Sequence, residues 1–401
     1  MKKYFLLITV GILLFGGCRK NEIDNCNIRV IKVAGLFSET GELSYLGITS
    51  EAAIQIAIDD INEDFKKRNI NYRFEFTAYD TQLDPAQAAQ AISTIAASEF
   101  KLIIGPQTSS ELQAIKPLAD SLGILVVSPT STSASLAIPN DMIFRFSPGQ
   151  AIVGRAMSQS YLNQGKQALV LISRNDAGSL GLQNAVATHF SNSGGVVVNA
   201  GVFNGTDTDF STVLAEVKNQ IINYQATFNI NQIAVLTTSF DETIPLFNQA
   251  SSDNVLSSVQ WYGGIGFFKN SNLLNEPLAS QFAVNTQFYS PGFSLPSSQQ
   301  NLWQPLLNSI YGTTGVQGDA LTLCAYDAMK SFGNLVESYG GLPSDASDLQ
   351  SWFYNASNLY SGATGVIELN ANGDRANGTF DFWGLQNNNG TYEWVFVGQS
   401  E

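Results

Sequence analysis

Apolar positions recur along the first 150 residues with two different periods. Residues 29–37 (RVIKVAGLF) form a nearly continuous apolar run, which is typical of a strand buried on both faces. The next segment spaces its apolar side chains by four, three and four positions, at Ile54, Ile58, Ile61 and Phe65. That spacing places them on one face of a helix. Residues 72–79 then alternate apolar and polar side chains, as a strand covered on one face does.

The same order of elements continues to about residue 147. Asp84 precedes Pro85, a pair that suits the N-cap and the first position of a helix. Three further apolar runs follow, KLIIG, GILVVS and MIFRFSP, with a helix predicted from about Ser110 between the first two. Strands that alternate with helices in this way form a parallel sheet with helices on both faces.

The alternation begins again after residues 147–151. Strands are predicted in QALVLIS, GVVVNAGVF, QIAVLTT and VQWYGG, and helices near 179–193, near 209–222 and from Asp241. Beyond about Gln281 the pattern predicts helices near 301–311, 319–338 and 346–357, then a hairpin and a terminal strand. A chain of 401 residues is expected to form more than one hydrophobic core. The predicted fold class is therefore α/β, with two doubly wound lobes.

Charge and histidine content exclude several classes of function. The formal net charge is −14, and no cluster of Lys and Arg is visible that would release counterions from nucleic acid or an anionic membrane surface. His189 is the only histidine, and its sequence context predicts an exposed or half-buried helix position. A Ser-His-Asp triad or a Cys-His pair would need that histidine, and no GxSxG motif accompanies it. We therefore expect neither an enzyme nor a metal site nor a cofactor.

The first 18 residues, MKKYFLLITVGILLFGGC, predict export from the cytoplasm. Their apolar run is too short to span a bilayer comfortably, which favours a cleaved signal peptide over residues 1–17. FGGC resembles a bacterial lipobox, in which Cys18 becomes the lipidated first residue of a tether over residues 18–27. Ordinary cleavage with a free Cys18 is the alternative. A bridge between Cys26 and Cys324 stays open, because two cysteines do not define a disulfide framework.

Two apolar strands end at a proline and continue into hydroxyl side chains. These segments are IIGPQTSS (103–110) and VVSPTSTS (126–133). In an open α/β sheet, ligands lie outside the carboxyl ends of the strands. The first turn also opens a helix, whose free N–H groups favour an anion. Because hydroxyls donate and accept without a fixed charge, the turns predict a neutral site for a carboxylate, the alternative being that they only cap helices.

The order of these motifs resembles the type I periplasmic binding proteins, closest to the leucine/isoleucine/valine-binding branch. The resemblance rests on VAGLFSETGELSYLG, AAIQIAIDDIN, YDTQLDPAQAAQA, LIIGPQTSS, GILVVSPTSTS and IFRFSPG, and extends through DFSTVLAEVK and GVIELNANGDRANGTFDF. It implies two Rossmann-like lobes joined by three crossovers, with a ligand held between them. The implied N-terminal lobe comprises residues 28–148 and 281–363, and the C-terminal lobe residues 149–280 and 364–401.

The resemblance also implies which residues bind the ligand. In the family, the positions that match Ser109 and residues 130–132 hold the α-carboxylate and part of the α-ammonium of an amino acid. Tyr45 matches a cleft aromatic, which lies over the ligand or serves only in packing. Phe240 and Phe267 are either apolar walls of the cleft or core residues. The complete predicted set is Tyr45, Ser109, Ser110, Thr130, Ser131, Thr132, Asp176, Ala177, Ser239, Phe240 and Ile265.

Three positions depart from the pattern of branched-chain amino-acid binders. The family has a tyrosine at the position of Ala177, another near Ser239, and an acidic residue at the position of Ile265. That acidic residue would pair with an ammonium, and its loss removes a charge-assisted hydrogen bond of about 1.5–3 kcal/mol. An ordinary α-amino acid is therefore not the expected ligand. Asp176 or Asp241 could supply the missing charge, the alternative being that both are surface loop residues.

Two stretches resemble ion or phosphate sites without meeting their requirements. NANGDRANGTFD spaces its oxygen-bearing side chains as an EF-hand loop does, but Arg375 occupies the glycine position, so a turn between strands is predicted. GGIGFFKN is rich in glycine but lacks the Lys and Ser/Thr of a phosphate-binding loop.

Together these features predict an extracytoplasmic solute-binding lipoprotein of the cell envelope. It is expected to be a monomer, anchored to a membrane by its lipid, that captures a small polar or carboxylated ligand for an ABC permease. The alternative function is an envelope adaptor or sensor that uses the same fold to bind a protein partner. A large exposed apolar patch together with a cleft filled by its own side chains would favour that alternative.

Overall fold

One five-stranded and one seven-stranded sheet divide the computed structural model into two lobes. The structure describes residues 28–41, 43–98 and 100–400. The predicted signal peptide, Cys18 and Cys26 lie outside these ranges. Within them, no helix combines the length and the apolar character that a membrane crossing requires.

The chain builds the first sheet by alternating strands and helices. In chain order the elements are β1 (Arg29–Phe37), α1 (Ser44–Lys67), β2 (Tyr72–Asp80), α2 (Pro85–Ala97), β3 (Leu102–Ile104), α3 (Ser109–Leu122), β4 (Leu125–Ser128) and β5 (Ile143–Arg145). The strands are parallel and lie in the order β2-β1-β3-β4-β5. Asp84 caps α2 as predicted, since its carboxylate accepts from the Ala86 N–H at 2.8 Å.

The second sheet repeats this plan. Its elements are α4 (Gln150–Asn163), β6 (Ala168–Arg174), α5 (Ala177–Asn192), β7 (Val196–Phe203), α6 (Ser211–Gln225), β8 (Ile233–Thr238), α7 (Thr243–Ala250), β9 (Gln260–Gly263), α8 (Ser271–Leu274), α9 (Pro277–Asn285) and β10 (Tyr289–Phe293). The parallel strands lie in the order β7-β6-β8-β9-β10.

From residue 300 the chain returns to the first lobe and then crosses once more. The remaining elements are α10 (Gln300–Thr314), α11 (Ala320–Tyr339), α12 (Ala346–Ser357), the hairpin β11 (Tyr360–Gly362) and β12 (Gly365–Ile367), and the strands β13 (Phe380–Asn388) and β14 (Thr391–Gln399). Helices α10 and α11 pack against α1, whereas β13 and β14 extend the second sheet in antiparallel pairing. These three crossings confirm the predicted two-lobe fold.

The position of β10 corrects one predicted boundary. Residues 281–363 are predicted in the N-terminal lobe, but β10 lies in the second sheet between β9 and β13. The reason is that α9 and β10 complete a strand–helix–strand unit with β9 before the chain crosses. Similarly, residues 364–401 are predicted in the C-terminal lobe, but β12 pairs with β11, and the chain rejoins the second sheet only at Phe380.

The central parallel strands of both sheets are buried on their two faces, which explains their continuous apolar sequences. In β3, Leu102 and Ile104 belong to the core beneath α1 and α11, while Ile103 points to the opposite core beneath α2 and α3. In β8, Leu236 and Val235 likewise belong to different cores. Because successive side chains of a strand face opposite sides, a strand between two helix layers has no polar side.

A buried ion pair joins the end of β5, where the chain first crosses between the lobes, to the third crossing segment between β12 and β13. Arg145 is 2% exposed, and its guanidinium donates from Nε and Nη2 to the Asp374 carboxylate at 2.6 and 2.7 Å. The backbone adds to this contact, since the Arg145 N–H donates to the Gly373 carbonyl and the Arg375 N–H donates to the Arg145 carbonyl. The second crossing segment lies between β10 and α10. It is hydrogen-bonded to the third through the Ser294 N–H, which donates to the Thr379 carbonyl at 2.9 Å. The hinge between the lobes is therefore a hydrogen-bonded unit.

The segment that resembles an EF-hand loop is a turn, as predicted. The Asn370 side chain accepts from the Asn372 N–H at 2.8 Å and from the Asp374 N–H at 3.2 Å. The Asp374 carboxylate is committed to Arg145. Arg375 donates to the Thr364 hydroxyl at 2.7 Å, so this segment contributes to the hinge.

Two further residues lie on helices, as their sequence context predicts. His189 is half-buried near the end of α5. Cys324 is fully buried in α11, where its thiol lies 3.5 Å from the Phe146 carbonyl oxygen. Burial raises the pKa of the Cys324 thiol, which keeps it protonated and unreactive.

Candidate functional site

A cavity of about 90 Å³ lies between the two lobes. Its walls come from the segments that follow β1, β3 and β4 in the first lobe and β6, β8 and β9 in the second. β1 and β3 are neighbours in the first sheet, as are β6 and β8 in the second, and in each pair the chain leaves the two strands in opposite directions. Such a switch point is where ligands bind in open α/β sheets.

The walls of the cavity are polar in part and apolar in part. Polar side chains of the first lobe are Gln107, Thr108, Ser109, Thr130 and Thr132, and those of the second are Asp176, Ser179, Thr238 and Ser239. Apolar side chains are Leu43, Leu46 and Leu321 from the first lobe and Leu182, Phe240 and Ile265 from the second. A guest in this cavity would therefore meet polar groups and apolar groups from both lobes.

The two hydroxyl-bearing turns are hydrogen-bonded to each other within the first lobe. The Ser109 hydroxyl lies 2.9 Å from the Ser131 hydroxyl and accepts from the Ser133 N–H at 3.2 Å. The Thr130 hydroxyl donates to the Gln107 carbonyl. Most of these hydroxyls therefore fix the two turns as one platform. The Thr132 hydroxyl forms no hydrogen bond with any described residue and remains available at the cavity.

Helix α3 begins at this platform with a complete capping box. The Thr108 hydroxyl accepts from the Glu111 N–H at 3.3 Å, and the Glu111 carboxylate accepts from the Thr108 N–H at 3.0 Å. Thr81 also donates to this carboxylate. Burial raises the pKa of Glu111, while its hydrogen bonds to Thr108 and Thr81 act in the opposite direction. The capping box fixes the first turn of α3 against the cavity.

Asp176 lines the cavity, but its carboxylate is committed to α5 and to an arginine. Oδ1 accepts from the Gly178 and Ser179 N–H groups at 2.8 and 2.9 Å, and Oδ2 accepts from the Ser179 hydroxyl at 2.8 Å. The Arg174 Nε lies 3.2 Å from Oδ2. Four donors use the acceptor sites of one carboxylate. Asp176 is thus not available to a ligand ammonium.

Asp241 lies outside the walls of the cavity. Its carboxylate accepts from the side-chain amides of Asn270 and Asn272, on the loop before and at the start of α8. The charge that Ile265 does not provide is therefore not replaced by either aspartate. Among the described residues that line the cavity, Asp176 is the only carboxylate.

Two aromatic residues form parts of the wall. Phe240 lines the cavity beneath the Arg174 guanidinium, which lies 4.9 Å from the ring centroid, whereas Phe267 is 1% exposed and belongs to the core. Tyr45 also lines the cavity. Burial raises the pKa of Tyr45, and the Asp319 and Asp241 carboxylates raise it further. Its phenol is therefore protonated at neutral pH and carries no charge to the site.

The structure places eight of the eleven predicted site residues at the cavity. These are Tyr45, Ser109, Thr130, Thr132, Asp176, Ser239, Phe240 and Ile265. Ser131 lies behind Ser109 as its hydrogen-bond partner. Ser110 is half-buried in the first turn of α3, outside the walls. Ala177 begins α5, and its carbonyl lies 3.4 Å from the Ser133 hydroxyl across the lobes.

Several residues of the wall are absent from the predicted set. Gln107 and Thr108 stand in the same turn as Ser109, so their position in the sequence is a usable signal. Leu321 gives no such signal, because it lies more than 200 residues further along the chain and reaches the cavity only through the second crossing.

The lobes approach each other closely beside the cavity. Gly178 at the start of α5 faces Ser109 of the first lobe, and a Cβ atom at Gly178 would lie 3.8 Å from the Ser109 Oγ. Together with the contact between Ser133 and Ala177, this approach shows a cleft closed around the cavity.

Comparison with known proteins identifies the family. The profile of a family described as periplasmic binding protein matches residues 30–389. The chain belongs to the periplasmic binding protein family. An uncharacterised protein of Methanocaldococcus jannaschii is 24% identical over 421 residues, which cover 99% of this chain and 97% of that protein. The Leu/Ile/Val-binding protein of Escherichia coli is 24% identical over 217 residues, which span 53% of this chain and 59% of that protein.

Solved structures of periplasmic binding proteins share the fold. The leucine-binding protein LivK of Thermotoga maritima has a TM-score of 0.71 at 20% identity, covering 92% of this chain and 98% of that one. A solute-binding protein of R. palustris in complex with benzoate has a TM-score of 0.69 at 16% identity, covering 92% and 96%. The predicted type I, two-lobe fold and the relation to the leucine/isoleucine/valine-binding branch are thus confirmed. Periplasmic binding proteins bind small molecules and work with ABC permeases.

Proposed function

We propose that this periplasmic binding protein captures a small carboxylate that lacks an α-ammonium group and presents it to an ABC permease. The observation that carries the proposal is the composition of the cavity between the lobes. It combines neutral hydrogen-bond donors with apolar walls, and the carboxylate of Asp176 is already saturated by four donors.

The polar wall suits an anion. The cavity lies at the N-terminus of α3, where the first N–H groups have no acceptor within the helix and the helix dipole favours negative charge. The Thr132 hydroxyl at the same wall can donate to a carboxylate. No lysine or arginine lines the described part of the cavity, so the side chains that donate to an anion are neutral, and the negative charge of Asp176 is opposed by the Arg174 guanidinium 3.2 Å from its Oδ2.

The same walls do not suit an ammonium group. Ile265 presents an alkyl side chain at the position where amino-acid binders of the family carry an acid, and Asp176 has no acceptor site left. An ammonium group that is buried without a partner loses its hydration and gains no hydrogen bond or ion pair in exchange, which costs several kcal/mol. An α-amino acid would therefore bind this cavity less tightly than the same acid without its amine.

The apolar side chains suit an alkyl or aryl body attached to the carboxylate. Leu46 and Leu321 of one lobe face Phe240 and Ile265 of the other, so a guest that touches all four stabilises the closed arrangement of the lobes. The R. palustris protein of the same fold binds benzoate, an aromatic carboxylate without an ammonium group, which supports this ligand class.

Matched pairs of ligands test the proposal. The purified protein is titrated with 4-methylpentanoate and leucine, and with phenylacetate and phenylglycine, each pair differing only by the α-amine. Because a ligand that binds only the folded state stabilises it by about 2.7 kcal/mol at 100 times its Kd, binding appears as a raised melting temperature. We expect at least one of the two acids to raise the melting temperature, and the matched amino acid to raise it less. Tighter binding of both amino acids would refute the proposal.

The proposed function includes a location at the cell envelope, which the sequence of the N-terminal segment supports. Export directed by residues 1–17 and lipidation of Cys18 would hold the protein at a membrane outside the cytoplasm, as a monomer within reach of its permease. Incorporation of labelled fatty acid that disappears in Cys18→Ala tests this anchor, and equal labelling of both chains would exclude it.

A further inference from the structure

We infer that Gln107 is the residue that selects the ligand, by donating from its side-chain amide to a ligand carboxylate oxygen. This inference rests on the proposed function and assigns to one residue the recognition of the charged group. Gln107 lies in the turn that follows β3, and it lines the cavity between the lobes.

The orientation of the Gln107 amide is fixed by a backbone contact. Its Oε1 accepts from the Ser38 N–H at 2.7 Å, in the loop that follows β1. Only the oxygen of an amide can accept this hydrogen bond, so the NH₂ group must be on the other side. Gln107 is 3% exposed, and its Nε2 has no hydrogen-bond partner among the described residues.

A buried NH₂ group without an acceptor is unusual. Most buried polar side-chain atoms in folded proteins have a partner, because a donor taken out of water without a replacement is costly. The Gln107 Nε2 belongs to a side chain in the cavity wall, so an acceptor atom of a guest can provide the missing contact.

Most neighbouring hydroxyls of the first lobe are already engaged, which leaves the Gln107 amide and the Thr132 hydroxyl as available side-chain donors at this wall. The Ser109 hydroxyl is bonded to Ser131 and Ser133, the Thr130 hydroxyl donates to the Gln107 carbonyl, and the Thr108 hydroxyl is bonded to Glu111. A carboxylate, which only accepts, complements a site whose available side-chain groups donate. A primary amide offers one accepting oxygen and would meet Gln107 without the gain from a charged acceptor.

A second glutamine provides a matched control. Gln183 on α5 is 2% exposed and its Nε2 also lacks a partner among the described residues, but it does not line the cavity between the lobes. Gln183→Leu therefore removes the same chemical group from an equally buried place without touching the proposed contact.

The test compares Gln107→Leu, Gln107→Glu and Gln183→Leu by isothermal titration with 4-methylpentanoate, phenylacetate and the primary amides of both acids. Gln107→Leu is expected to weaken binding of the acids about 10- to 100-fold, the usual range for a hydrogen bond to a charged group. Gln107→Glu keeps an acceptor for the Ser38 N–H but turns an anionic oxygen toward the guest. It is expected to bind the amides more tightly than the acids, reversing the preference of the unmodified protein. Gln183→Leu is expected to keep the original affinities.

The outcomes separate this inference from the proposed function. If the unmodified protein binds neither acid, the proposed function fails and the role of Gln107 fails with it. If it binds an acid and both Gln107 variants bind that acid equally well, the role of Gln107 is overturned while the proposed function stands. If Gln107→Leu does not fold, the preference of Gln107→Glu for acid or amide decides the question.

Discussion

Replacing Arg145 with Ala is expected to lower the free energy of unfolding by about 3–5 kcal/mol. Arg145 is 2% exposed, and it donates twice to Asp374 and once to the Ser133 carbonyl. The substitution leaves the Asp374 carboxylate buried without its cation, in a hinge where all three crossing segments meet. Thermal and urea unfolding of the variant and the unmodified protein measure the effect.

An exposed arginine provides the control for this prediction. Arg68 pairs with Asp64 and Glu337, but its side chain is 46% exposed. Exposed ion pairs are screened by water and salt, so Arg68→Ala should change stability little. Equal losses in the two variants would show that the hinge pair has no special importance.

Replacing Gly178 with Leu is expected to weaken ligand binding roughly 5- to 150-fold, which corresponds to about 1–3 kcal/mol of overpacking. Gly178 faces Ser109 across the closed cleft. A Cβ there would lie 3.2 Å from the Asp176 Oδ1 and in ordinary contact, at 3.8 Å, with the Ser109 Oγ, so the further atoms of a leucine have no free space on this side. The larger side chain must overlap the platform or occupy the cavity, so the lobes cannot close around a guest. Titration with phenylacetate and 4-methylpentanoate measures the change.

Gly312 on α10 provides the matched control for steric bulk. A Cβ at Gly312 meets no atom within 4 Å, so Gly312→Leu should bind both acids as the unmodified protein does. Leu also has a higher helix propensity than Gly, so Gly312→Leu is not expected to weaken α10. If Gly178→Leu keeps full affinity, the ligand does not bind between the closed lobes.

Much of the fold is predictable from the sequence, because buried parallel strands carry a strong local signal. The run at 29–37 forms β1 and the run at 167–173 forms most of β6, and both strands lie inside their sheets with helices on each side. β10 has no comparable signal, since its five residues, YSPGF, include a proline and a glycine. Its place beside β9 depends on long-range pairing that no local pattern encodes.

The candidate site is only partly predictable, for a different reason. Chain order and the turns after β3 and β4 locate its polar wall. The hydrogen-bond partner of each hydroxyl depends on how the two turns are placed relative to each other. In the structure, the hydroxyls of Ser109 and Thr130 are hydrogen-bonded to neighbouring residues and not left for a ligand. The pattern of hydroxyls does not include Gln107, whose side-chain amide is an unpartnered donor of that wall beside the Thr132 hydroxyl.

A crystal structure of the protein with the most tightly binding acid tests the central claim most directly. We expect the acid in the cavity between the lobes, with one carboxylate oxygen about 2.7–3.2 Å from the Gln107 Nε2 and its alkyl or aryl body against Phe240 and Ile265. An acid bound elsewhere on the surface, with this cavity empty or the Gln107 amide facing the apolar body, would contradict the account.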